Sequence, residues 1–159
     1  KGPLMYPVIV RTDPPRRLVA LPHSGPYPLI GRAFEKLGAT IGPRGLFPQV
    51  GKMVGVYYCS PDDTAPEDLR SHAGFECGDS LPIDPPLDEV RLPGGRHAVM
   101  TVKGPYSDLP AGYAQLFGQW LPASGEEAAD SPAFEVYLNT PMDTAPEDLL
   151  TEICLPLRG

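Results

Sequence analysis

The sequence predicts an α+β fold made by tandem duplication, with an antiparallel sheet and two main helices, and three observations carry that prediction. Pro61 to Leu69 returns as Pro141 to Leu149 with only Asp62 replaced, by Met142, at an offset of 80 residues. Upstream, Gly25-Pro26-Tyr27 returns as Gly104-Pro105-Tyr106 at an offset of 79, so one inserted residue reconciles the two landmarks. Within each copy, short segments of period two flank one longer segment of helical spacing. The two repeats cover about 6–79 and 86–158 within one domain, 5–159, and each repeat alone buries too little surface to stand by itself.

Each element can be read in one copy and checked in the other. Tyr6 to Arg11 is rich in β-formers, and Arg17 to His23 follows a Pro-Pro turn, so both are predicted strands. After Gly-Pro-Tyr comes a helix, with Ile30, Ala33, Phe34, Leu37 and Ile41 near helical spacing; Pro28 is tolerated in its first turn. Gly38 and Gly42 weaken that helix and predict an early end. In the second copy Leu109, Tyr113, Leu116, Phe117 and Trp120 make the matching stripe. Val54, Val56 and Tyr58 alternate with Gly55, Tyr57 and Cys59, as Phe134, Val136 and Leu138 alternate with Glu135, Tyr137 and Asn139. A last strand follows in each copy, Ala73, Phe75 and Cys77 matching Ile153, Leu155 and Leu157. Such alternation predicts one face on a core and one facing something more polar. Leu81 to Leu87 is a Pro-rich connection between the repeats, and Pro93-Gly94-Gly95 reads as a hairpin turn.

Composition removes several classes of function. The net charge is −7 and no basic run exceeds Arg16-Arg17, which argues against direct nucleic-acid binding. An acidic surface suits cationic small molecules or a basic patch on a partner. No apolar stretch reaches the roughly 20 residues that span a bilayer, and no membrane association is expected. Cys59, Cys77 and Cys154 are odd in number and widely spaced, as expected of reduced thiols in a cytoplasmic protein. Lys1 to Leu4 read as a tag remnant ahead of a native start at Met5. His23, His72 and His97 show no ligand spacing with the cysteines, so no metal and no other cofactor is expected. There is no phosphate-binding glycine loop and no nucleophile elbow.

Glu135 is the residue that stands out, a carboxylate amid an apolar strand, with Gly55 at its place in the first repeat. Burying it is costly without a compensating partner. Two readings are open. Glu135 lines a groove and meets a cationic ligand, with Tyr137 on its own face and Tyr57 as the repeat mate, since aromatic rings beside a carboxylate suit an organic cation. Alternatively it points to solvent or pairs with an arginine. Tyr113, Phe117 and Trp120 either line the same groove or pack as core; Phe117 is assigned to the core and Trp120 is left open. The two Thr-Ala-Pro-Glu-Asp segments read as turns, Pro66 and Pro146 each starting a short helical turn whose amides the acids complement.

These segments together resemble the GyrI-like effector-binding family, which includes the DNA gyrase inhibitory protein and the ligand-sensing domains of AraC-type and multidrug-responsive regulators. The residues that carry the resemblance are Arg17-Leu-Val-Ala20, Gly25-Pro-Tyr27, Val56-Tyr57-Tyr58 and Pro61-Asp-Asp-Thr64, then Leu92-Pro-Gly-Gly-Arg96, Gly104-Pro-Tyr106, Trp120-Leu-Pro122, Phe134 to Asn139 and Thr151-Glu-Ile153. The resemblance implies two β/α modules with pseudo-twofold symmetry and a central groove. It further implies that Glu135 looks into that groove to receive a cationic, aromatic ligand, with Tyr137, Tyr57 and Trp120 around it; Tyr113 joins the expected ligand-binding set from the helical stripe. The sequence departs from the family pattern at Cys154, where relatives often carry an aromatic, and at Gly38 to Gly42, where they often carry a tryptophan-bearing helix; the changes are expected to widen the groove or alter its ligand. A helix-turn-helix segment is absent, and the start at Met5 favours a stand-alone protein over a trimmed regulator.

The expected function is therefore a small-molecule effector-binding protein, more a binder than an enzyme, whose ligand is amphipathic or cationic. The alternatives are a protein–protein inhibitor of DNA gyrase and a small hydrolase of reactive compounds working through Glu135, Tyr137 and Trp120.

Overall fold

The computed structural model describes residues 6–159, so the reading of Lys1 to Leu4 as a tag and of Met5 as the native start lies outside the described residues. Its strands are β1 (Val8–Asp13), β2 (Arg16–Ser24), β3 (Val50–Tyr57), β4 (Arg70–Cys77), β5 (Asp88–Leu92), β6 (Gly95–Lys103), β7 (Ala133–Tyr137) and β8 (Leu150–Pro156). The helices are α1 (Gly31–Ile41), α2 (Leu109–Gln115) and α3 (Leu121–Ser124), with a π-helical turn at Leu116–Trp120 joining the last two. The protein is α+β, and its strands pair antiparallel.

The described residues form two compact units, one of residues 15–93 and the other of residues 94–159 with residues 6–14. These units do not coincide with the sequence repeats. In the first, the strands run β3-β4-β2-β5; in the second, β1-β6-β8-β7. The first strand of each repeat thus pairs within the unit built mainly from the other repeat. The Pro93-Gly94-Gly95 segment is consequently no hairpin turn: β5 pairs with β2, whereas β6 pairs with β1 and β8. Pro93 lacks the N–H that a tight hairpin ladder would use, and Pro14-Pro15 makes the equivalent break between β1 and β2.

In the 15–93 unit α1 covers the face formed by Val19 and Leu21 of β2 and Ala73, Phe75 and Cys77 of β4. Leu37 and Ile41 are wholly buried against it. The expected early end of this helix does not occur: α1 continues through Gly38 to Ile41 and stops at Gly42, because burial of Leu37 and Ile41 outweighs the roughly 1 kcal/mol propensity penalty of one glycine. Pro28 sits in a 3-10 turn, Tyr27–Leu29, just ahead of α1. The Leu81 to Leu87 connection anchors itself by burying both end leucines in the same core. Pro66–Asp68 and Pro146–Asp148 each form a single 3-10 turn.

In the other unit α2, the π-helical turn and α3 cover Ala98, Met100 and Val102 of β6 and Ile153 and Leu155 of β8. Gly112 is what lets α2 settle there. A Cβ at that position would stand 3.1 Å from both Ile153 Cδ1 and Val102 Cγ2 and 3.4 Å from Met100 Sδ. Gly112→Val is therefore expected to lift α2 from the sheet and cost about 1–3 kcal/mol, read as a lower denaturant midpoint, through overpacking.

Both faces of β7 are buried, which corrects the expectation of one polar face. Phe134 and Val136 lie on one side, Glu135 and Tyr137 on the other, and all four are buried. Alternation marks the two faces correctly, but the face with polar atoms lies under a helix rather than water. Among the described residues, no helix is long and apolar enough to cross a membrane.

Candidate functional site

Cross-strand register fixes where Glu135 points. It lies opposite Ile153, a residue of the core beneath α2, and directly paired residues share a sheet face. Glu135 is therefore turned towards the helix-covered face and is only 5 % exposed, so the solvent-facing reading is overturned. Two phenols receive the carboxylate. The Tyr113 hydroxyl of α2 donates to Oε2 at 2.7 Å, and the Tyr137 hydroxyl, from the same strand face, donates to Oε1 at 2.7 Å. Tyr137 can reach because residues two apart on a strand point the same way. Tyr113 can reach because Gly112 brings its helix close.

Two donors, one on each oxygen, form the pattern that suits an ionised carboxylate. The phenols are neutral donors that fix the orientation of the carboxylate. More aromatic surface surrounds the pair. Tyr106 packs edge-on against Tyr137, with ring centroids 5.7 Å apart, and Phe117 stacks on Tyr113 at 6.4 Å and an interplanar angle of 7°. Burial first, and then the charge of Glu135, hold the Tyr106 phenol above its ordinary pKa of 10.0. Tyr106 is placed near the carboxylate by its edge-on contact with Tyr137, whose hydroxyl donates to Glu135.

That upward shift has a pH consequence. As pH rises through 10, Tyr106 ionises in the unfolded chain while the native state still holds the proton, so the native state binds more protons and stability falls. The loss runs from pH 10 up to the raised folded value, and Tyr106→Phe is expected to make the alkaline decline shallower. Glu135→Gln should lower the phenolate midpoint of Tyr106 in an ultraviolet titration, since one cause of the shift is removed.

Of the residues singled out in the sequence, Glu135, Tyr137 and Tyr113 come together. Trp120 packs, partly buried, on the core beneath the π-helical turn. Phe117 is no core residue: it is 42 % exposed and flanks Tyr113. The helical stripe misassigns it because Phe117 stands at the edge of the stripe, one residue on from the wholly buried Leu116. Tyr57 belongs to the 15–93 unit, where it packs edge-on with Tyr27 at 4.7 Å and against Ile30, Ala33 and Ala73. Cys154 lies opposite Phe134, on the sheet face away from Glu135, so its small size does not enlarge the surroundings of the carboxylate. Tyr106 was missed as a site residue although Gly-Pro-Tyr was a repeat landmark. Its signal is the duplication itself, because the Tyr106–Tyr137 contact is the counterpart of Tyr27–Tyr57.

One further polar atom lies on this face. Thr151 is opposite Tyr137, only 1 % exposed, and its Oγ1 has no hydrogen-bond partner among the described residues. A buried hydroxyl left this way costs about 1–3 kcal/mol. The repeat-related Ser71, opposite Tyr57, has the same feature.

The family model described as the GyrI-like small molecule binding domain matches residues 6–158. The chain belongs to the GyrI-like family. A DNA gyrase inhibitor of Edwardsiella piscicida is 34% identical over 146 residues, which cover 89% of this chain and 91% of that protein. Among solved structures, the C-terminal domain of EcmrR superposes with a TM-score of 0.77 over 98% of this chain and 99% of that one, at 16% identity. SAV2435 bound to tetraphenylphosphonium superposes with a TM-score of 0.65 over 96% and 94% of the two chains, also at 16% identity. At such identities the two structural likenesses concern the GyrI-like fold.

Proposed function

We propose that this GyrI-like domain binds an aromatic organic cation at Glu135, held by charge pairing and by the rings of Tyr106, Tyr113 and Tyr137. The observation that carries the reading is a carboxylate buried on a sheet face and held by two tyrosine hydroxyls at 2.7 Å. An acidic side chain in a low-dielectric, aromatic setting attracts a desolvated cation strongly, through Coulomb attraction and the negative faces of the rings. The tetraphenylphosphonium held by a protein of the same fold supports that ligand class. The net charge of −7 adds a general attraction for cations.

A thermal-shift screen against cationic aromatic dyes and tetraphenylphosphonium tests the proposal. Ligand at a hundredfold excess over its Kd should add about 2.7 kcal/mol of stability, seen as a clear rise in Tm. Uniformly flat melting curves across the cations would count against it. Inhibition of DNA gyrase is the second reading, favoured by the Edwardsiella relative named for that activity. Supercoiling that proceeds undisturbed at a stoichiometric excess of this protein would dispose of that reading.

A further inference from the structure

We infer that Thr151 selects among cations, taking an N–H of a protonated amine on its Oγ1 while Glu135 takes another; this rests on the cation-binding reading above. Thr151 faces Tyr137 directly across the β7–β8 ladder, and Glu135 is two residues before Tyr137 on the same face. The hydroxyl therefore belongs to the same buried surface as the carboxylate. Its neighbours in register give no reason for a polar atom there. Val102 lies opposite it on β6, and Ile153 is the next residue on its own face. Valine has the same shape as threonine, favours strands as well, and would leave no hydroxyl unpartnered.

The hydroxyl is matched by an outside group instead. A ligand already paired with Glu135 brings its charged nitrogen to this face, and an ammonium carrying two or more N–H donors can serve both acceptors at once. A quaternary cation, with no N–H, satisfies the charge of Glu135 and leaves Thr151 unserved. Ser71 repeats the hydroxyl opposite Tyr57, but Gly55 stands where the second repeat has Glu135, so only Thr151 combines with a carboxylate on its own unit.

Calorimetric titration with naphthylmethylammonium and with naphthylmethyltrimethylammonium tests the assignment on wild type, Thr151→Val and Thr151→Ser. The expected result is a selective loss: Thr151→Val weakens the primary ammonium about tenfold and leaves the quaternary cation unchanged, while Thr151→Ser keeps both. Should valine disturb the packing, Thr151→Ala is expected to show the same selective loss. If Thr151→Val weakens both cations alike, or neither, the hydroxyl has no part in selection and the inference falls while cation binding stands. If wild type binds neither cation, the inference falls together with the reading it rests on.

Discussion

Glu135→Gln is expected to weaken binding of tetraphenylphosphonium by on the order of a hundredfold, with little change in the stability of the free protein. The ligand effect is large because a desolvated charge loses its counter-charge, and removing one partner of such a pair costs roughly 2–5 kcal/mol. The stability effect is small because glutamine keeps the shape and can still accept the Tyr137 or Tyr113 hydroxyl on its remaining oxygen. Removing a buried charge also relieves a desolvation penalty. Isothermal titration and thermal melting of the same variant separate the two effects. A variant that binds normally, or one that fails to fold, would contradict the role given to the carboxylate.

Phe134→Ala is expected to be the most damaging single change to stability. Phe134 is 1 % exposed, lies opposite Cys154 and packs edge-on with His97, whose ring centroid is 5.6 Å away. Truncating a buried phenylalanine removes its transfer free energy and leaves a cavity, about 3–5 kcal/mol in sum. For a chain of this size that lowers Tm by on the order of 10 °C. Phe134 projects from the face of β7 opposite Glu135, so ligand affinity measured well below Tm should change far less than stability. Affinity falling as steeply as stability would mean that the two faces of β7 do not act separately.

These two residues also show how much of the molecule was legible in the sequence. The duplicated landmarks give the order of elements, and period-two alternation separates Phe134 and Val136 from Glu135 and Tyr137. Strand pairing across repeats was not legible. Pro14-Pro15 and Pro93-Gly94 announce a break in the chain, but local signals cannot say whether the next strand pairs with its predecessor or elsewhere. The exposure of Phe117 was not legible because the residue sits at the edge of the apolar stripe, where periodicity does not separate core from surface. Glu135 was legible as an anomaly, a charge within an apolar strand. What compensates it was only half legible: Tyr137 follows from strand geometry, whereas Tyr113 reaches the carboxylate only because Gly112 lets α2 approach the sheet.

The central claim is that a cation sits against Glu135, and a crystal structure of the protein grown with tetraphenylphosphonium tests it most directly. The account predicts the phosphonium beside the Glu135 carboxylate, within about 6 Å of at least one of the Tyr106, Tyr113 and Tyr137 ring centroids. A fully occupied cation bound elsewhere, with the Tyr113 and Tyr137 hydroxyls still closed on an undisturbed Glu135, would contradict it.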